Sequence, residues 1–419
     1  MTDYLSVLSD LLRKARSVGA DAADALLVSG TSVSVACRQG KVEHLERSEG
    51  RDLGLRVFVG KRSAIVSSTA IDPAGFAALA ERAVAMARVV PEDKYAGLAD
   101  TAAPPAAADL DLVDTAEPDT DLLTKRALAA EAAAYAVKGV TNSEGAEASY
   151  GRTEVALMTS AGFAGQRAGT HHSISATALA GSGTEMQRDY DYHGTVHFAD
   201  LDDPAAVGKS AGERAVARLN PVRPKTGKMP VVYDPRVAGS LVGHLAGAIN
   251  GASIARGTSF LKDRLHQQLF APGIDIYDDP RRVRGLRSRV FDGEGTPTQT
   301  LALVRDGVLT TWLLDSRSAR QLGMTSTGHA ARSTSGPPSP STTNLYLAKG
   351  AVTAQELMSD IIEGIYVTEL IGMGVNGVTG DYSRGAAGFM IRDGALAEPV
   401  AELTIAGNLV DMFANLRPA

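Results

Sequence analysis

Apolar residues Tyr4, Leu5, Leu8, Leu11, Leu12, Ala15 and Val18 recur at three- and four-residue intervals, which predicts an opening amphipathic helix. The pattern then switches to alternation. SVSVACRQGKVEHLERSEG and DLGLRVFVGKRSAIVSS alternate on either side of Gln39-Gly40-Lys41 and Gly60-Lys61-Arg62, as hairpins do. Asp72-Pro73 supplies a cap and a first-turn proline for an alanine-rich helix to about Val89. A Pro- and Ala-rich surface connection is expected over residues 91–121, and another helix over residues 122–137.

Residues 146–198 read as short strands rich in Gly, Ser and Thr, and Asp203-Pro204 opens a further helix. In PVRPKTGKMPVVYDP, Pro221, Pro224 and Gly227 break the helix before a strand at residues 229–233. That break divides the chain into an N-terminal domain, 1–222, and a C-terminal domain, 223–419. The second half mixes helices with hairpins at VRDGVL and IRDGAL, and Thr353 with Glu356 forms a capping box. The class is mixed α/β, with no period of twenty to fifty residues that would signal a solenoid.

Composition narrows the function. The 42 basic and 48 acidic residues leave a net charge of -6 without a long block of one sign, so neither nucleic acid nor a membrane surface is an expected partner. The N-terminus lacks the pattern of a secretory signal, and no apolar run is long enough to span a bilayer. Cys37 is the sole cysteine, which excludes an intrachain disulfide and a cysteine-rich zinc site. A cytoplasmic protein is expected.

Short motifs carry little chemistry. Gly372, Gly374 and Gly377 match a dinucleotide fingerprint, but loop and strand follow where a helix is required. Val207-Gly208-Lys209-Ser210 reads as part of a capped helix with an exposed lysine rather than a phosphate loop. Ser259 with Lys262, Lys225-Thr226-Gly227, and the elbow-like stretch around Ser253 lack the order or the strand that acyl enzymes need. His171-His172 are adjacent, and His193 and His197 lie about 13 Å apart on a strand, too far for shared zinc binding. His244, within the helix-like run LVGHLAGAINGASIARGTSF, reads as a packed or partly exposed helix residue. The loops DGEGTP, TSTGHA and TGDYSRGAAG combine flexible backbone with polar side chains, as binding loops do.

Together with PEDKYAGLAD, GTSFLKDRLHQQLFAPGIDIYDDP, VFDGEGTPTQTLALVRDGVLTTWLLDSRSARQLGMTSTGHA, VTGDYSRGAAGFMIRDG and ELTIAGNLVDMFANL, these loops resemble the TldD/PmbA family, within it the PmbA or TldE branch. The resemblance implies an N-terminal α/β domain, a C-terminal domain around a strongly curved mixed sheet, and a cytoplasmic dimer acting as a zinc peptidase on unfolded or flexible peptides. In the TldD branch the metal comes from H-E-x-x-x-H shortly before R-G-T-S, plus a later cysteine. Anchored on Arg256-Gly257-Thr258-Ser259, those positions fall here on Val242, Gly243 and Gly247, so the chain itself is expected to hold no metal and no catalytic residue.

The implied role is the non-catalytic subunit of a heterodimer whose TldD-type partner carries the zinc; a homodimer is also possible. Asp381, Tyr382, Arg384 and His329 are the candidate substrate or partner loop residues. The resemblance further implies strands after residues 409–416, whose loss is expected to weaken dimerisation. A regulatory, gyrase-modulator-like binding protein is the alternative, and a hydrolase using Ser253 or Ser259 a third reading.

Overall fold

The computed structural model describes residues 3–101 and 108–419; residues 102–107, within the predicted connection, lie outside the described residues. The N-terminal half runs α1 (Tyr4–Ser17), β1 (Ala22–Arg38), β2 (Lys41–Val59), β3 (Arg62–Ser68), α2 (Phe76–Val89), α3 (Thr120–Tyr135), β4 (Val140–Thr159), β5 (Ala164–Ala180), β6 (Gln187–Thr195) and α4 (Pro204–Ala217). Its six strands form one antiparallel sheet, ordered β3-β2-β1-β4-β5-β6.

Side chains alternate along a strand, and β1 uses both faces. Ala23, Ala25 and Leu27 bury against α1 and α2, while Val33, Val35 and Cys37 on the same face join the apolar faces of α3 and α4. The periodic residues Tyr4, Leu8, Leu11, Leu12 and Ala15 of α1 are the buried ones. Asp203 precedes Pro204 at the start of α4 but makes no side-chain cap bond, and Gly208 faces α3 so closely that a Cβ there would meet Ala130 O at 1.8 Å.

Residues 146–198 are longer strands than expected. β4 and β5 span 20 and 17 residues, because their small inward residues Ala146, Ala148, Ala176 and Ala178 let helices approach the sheet closely. The strand before the first hairpin also starts earlier, at Ala22, and β2 continues unbroken through Gly50. The β1–β2 turn has Gln39 and Gly40 at φ 52° and 72°, and Glu131 of α3 accepts from both backbone N–H groups at 2.8 and 2.9 Å. Residues 41–52 of β2 pair with β1 but are exposed throughout.

The C-terminal half begins with β7 (Val231–Tyr233), α5 (Pro235–Ala248), α6 (Gly251–Arg256), β8 (Ile276–Asp278), β9 (Leu301–Arg305), β10 (Val308–Leu309) and α7 (Ser316–Leu322). It continues with β11 (Ala330–Ala331), β12 (Ser339–Pro340), β13 (Leu345–Leu347), α8 (Ala354–Met358), β14 (Glu363–Ile371), β15 (Asp381–Arg392), β16 (Ala395–Asn408) and α9 (Leu409–Ala414). β16, β15 and β14 are antiparallel and β7 adds in parallel, giving a mixed sheet. Register breaks in β14 and β15 bend it, as bulges do. Both Asp-Gly hairpins form, with Asp306 and Asp393 at positive φ, and the Thr353–Glu356 box caps α8.

The second face of the N-terminal sheet meets this half. Leu26, Leu157, Phe163 and Phe291 make an apolar cluster, with the two phenyl rings edge-on at 5.2 Å. Beside it Asp24 accepts from Arg56 Nε at 2.8 Å and from Arg332 at 2.5 Å, and Glu294 lies 3.6 Å from Arg56 while accepting from Ser316 N at 2.8 Å. Burial would raise the Asp24 carboxyl, but Arg332 and Arg56 outweigh it and hold the group below its ordinary value of 3.8. The predicted surface connection is tied down as well: Asp93 pairs with Arg317 at 2.6 Å, and Arg320 donates to Tyr95 O and Gly97 O, each at 3.2 Å.

Asp24→Asn is expected to cost about 3–5 kcal/mol in urea unfolding, because it leaves buried Arg332 without its carboxylate and Arg56 with Glu294 alone. Since the folded-state pKa is depressed, the Asp24 contribution is full above pH 3.8 and disappears as pH falls through the folded value. Nearby Asp292 is pushed up to about 6, first by burial and then by Glu294, so its stabilising contribution is full below pH 3.8 and lost as pH rises through about 6. Unfolding of the parent at stepped pH should show both slopes, and Asp292→Asn should flatten the one between.

Candidate functional site

The Asp234-Pro235 pair turns β7 into α5. The Asp234 side chain accepts from Arg236 N at 2.9 Å and from Tyr366 Oη at 3.0 Å, which fixes the helix start against β14. Gly239, Gly243 and Gly247 then form a bare stripe along α5, where an added Cβ would meet nothing within 4 Å.

Beside that stripe, His244 sits edge-on to Tyr382 of β15, with ring centroids 5.8 Å apart at 77°. Tyr382 is 1% exposed and belongs to the apolar core with Leu245, Ile249, Trp312 and Phe413. Arg384, two residues on, shares its strand face. Tyr233, at the end of β7, completes the group: the Tyr382 hydroxyl and the Arg384 charge both act on its phenol. Tyr233 Oη, His244 Nε2, Tyr382 Oη and Arg384 Nε are all buried without a hydrogen-bond partner.

Burial pushes the Tyr233 phenol well above its ordinary range, and the adjacent Tyr382 hydroxyl adds to the shift. His244 is lowered, first by burial and then by the Arg384 charge. At neutral pH the Tyr233 phenol is therefore protonated and the His244 imidazole neutral, beside the Tyr382 hydroxyl and the Arg384 guanidinium. Such a set binds and orients a hydrogen-bonding ligand, and its neutral imidazole can also take up a proton.

The predicted loop residues separate. Asp381 is exposed and bonds to Thr379 Oγ1 at 2.6 Å and Asn408 Nδ2 at 3.2 Å, away from the cluster. His329 is 1% exposed, with Nε2 3.0 Å from Asp278 Oδ2 and Nδ1 2.8 Å from Thr327 O, so it braces loops in the interior. Tyr382 and Arg384 meet Tyr233 and His244 instead. Tyr233 escaped the sequence reading, although its place at a strand's C-terminal end, just before a capped helix, was a usable signal.

The other motifs have structural roles. Gly374 approaches Ser383 O, where a Cβ would lie at 1.9 Å, so the Gly372–Gly377 segment is a loop folded onto β15. Ser259 Oγ donates to Ala248 O at 2.6 Å. His193 lies 3.2 Å from Asp202, and His197 lies 3.1 Å from Asp111.

Zinc does not fit α5: Val242, Gly243 and Gly247 offer no donor. Among the described residues no three His, Cys, Asp or Glu side chains converge as a metal site. Among the same residues, no helix is long and apolar enough to cross a membrane.

Three family models of the PmbA/TldA metallopeptidases match the chain: domain 1 over residues 23–87, the central domain over 114–219 and the C-terminal domain over 226–419. "Metalloprotease PmbA" of Escherichia coli O157:H7 is 38% identical over 402 residues, covering 94% of this chain and 86% of that protein. A crystal structure from Bacteroides thetaiotaomicron, described as a putative modulator of DNA gyrase, superposes with a TM-score of 0.91 at 26% identity, covering 100% of this chain and 94% of that one. TldE from Thermococcus kodakarensis has the same fold, with a TM-score of 0.85 at 19% identity over 97% of this chain and 92% of its own.

Fold and sequence thus define a metallopeptidase-related α/β protein. The chain belongs to the PmbA/TldD family.

Because the α5 stripe is open, Gly243→Ala and Gly247→Ala should each raise stability by about 0.5–1 kcal/mol through helix propensity. Denaturant midpoints measure this; a loss at either position would mean that the helix face is covered.

Proposed function

We propose that this chain is the non-catalytic subunit of a two-chain zinc peptidase acting on unfolded or flexible peptides in the cytoplasm. The observation that carries the reading is the helix before Arg256-Gly257-Thr258-Ser259, which keeps its place in a metallopeptidase-related fold while presenting Val242, Gly243 and Gly247 where ligands and a general base would stand. A TldD-type partner supplies the zinc and the water-activating carboxylate. This chain contributes the bare glycine face of α5 and the donors around Tyr382, which hold peptide without cutting it.

A second reading is favoured by the description of the Bacteroides relative as a putative modulator of DNA gyrase. In that case the chain binds a protein partner. With a net charge of -6, direct contact with DNA is disfavoured.

Cleavage of an unstructured peptide by this chain, by an H-E-x-x-x-H partner and by their mixture, each with and without a zinc chelator, tests the proposal. Chelator-sensitive cleavage is expected whenever the partner is present, faster in the mixture, and absent from this chain alone. Chelator-sensitive cleavage by the isolated chain would sink the non-catalytic assignment. Co-purification with gyrase subunits and not with the partner would favour the second reading.

A further inference from the structure

We infer that Tyr233, His244, Tyr382 and Arg384 form a carboxylate-binding site, and that its ligand is the terminal carboxylate of an extended peptide. Folded proteins satisfy nearly all their buried polar groups, and an unmet group is costly. Here four such atoms, from β7, α5 and β15, come together without a well-formed protein hydrogen bond, the Tyr233 and Tyr382 hydroxyls meeting only each other. A cluster of unmet polar atoms of this kind serves something other than packing.

The chemistry of the donors selects the ligand. Two hydroxyls donate or accept, while a guanidinium only donates. Among the described residues, no carboxylate lies within the 4.0 Å ion-pair distance of Arg384. Water would satisfy the hydroxyls but leave that charge uncompensated. A monoanion balances it, whereas a phosphate dianion would bring an excess negative charge into partly buried surroundings. A carboxylate has one charge and two oxygens with lone pairs enough for the guanidinium, both hydroxyls and His244 in its Nε2–H tautomer.

The neighbourhood selects a chain end. The open stripe of Gly239, Gly243 and Gly247 runs directly beside His244, so a peptide backbone can lie close against α5 with its terminus reaching Arg384. This last step rests on the peptide-handling role proposed above; the carboxylate site does not.

Calorimetric titration of the full chain with a short unstructured peptide, its C-terminal amide and acetate tests the inference. The free-acid peptide should bind about tenfold or more tightly than the amide, as expected for a charge-assisted hydrogen bond. Arg384→Gln should reduce the acid to the affinity of the amide. Tyr382→Phe keeps the ring in the core and should weaken the acid several-fold while leaving the amide unchanged, with melting temperature confirming the fold.

Equal binding of acid and amide, or a preference that survives Arg384→Gln, would overturn the site. Arg384-dependent binding of acetate without binding of the peptide acid would overturn the chain-end assignment and leave a free carboxylate as ligand. The cleavage assay is read separately: carboxylate preference without cleavage by the mixed chains refutes the peptidase reading alone, and cleavage without preference refutes this inference alone.

Discussion

The two halves of the molecule are held in register by a charge cluster closed to water. Asp24 is paired across the sheet with Arg56, and it also receives Arg332 from the loop beyond His329. Charges buried this deeply tolerate little displacement, because a lost partner leaves the remaining charge without solvent. Glu294 extends the constraint by accepting from Ser316 N, at the start of α7. Gly54 adds a steric condition, since a Cβ there would lie 2.1 Å from Thr334 O. The loops holding Glu294, His329 and Arg332 are therefore interior bracing between sheet and C-terminal half.

With that frame fixed, α5 becomes the place where relatives sharing one fold can differ in chemistry. The helix is anchored at its start by Asp234 and buried along Leu241, Leu245 and Ala248, while its glycine stripe stays open. Substituting donors along that stripe would leave the packing untouched. A fold leaves function to the sites grafted on it, and here the open face of α5 and the strand β15 opposite bring such positions together.

Local chemistry was legible in the sequence. The period of α1, the Asp-Gly turns at Asp306 and Asp393, and the Thr353–Glu356 box depend on residues close together in the chain. The lengths of β4 and β5 were hidden because Gly, Ser and Thr signal breaks, whereas here the small side chains serve close helix packing. His329 looked like a binding-loop residue because the buried partner that occupies it, Asp278 of β8, is distant in the chain. The donor cluster was half visible: Tyr382 and Arg384 stood in a suspect loop, but only the parallel pairing of β7 with β14 brings Tyr233 into reach. Tertiary convergence of this kind leaves no spacing rule to read.

The projecting part of β2 has a consequence for life in a crowded solution. Residues 41–52 pair on one edge only and offer the other to any passing chain, yet Lys41, Glu43, Glu46, Arg47, Glu49, Arg51 and Asp52 crowd both of their faces. A foreign strand adding there would have to bring its own side chains alongside alternating charges of both signs. The same ribbon that lengthens the sheet thus keeps neighbouring molecules from fusing into a continuous one.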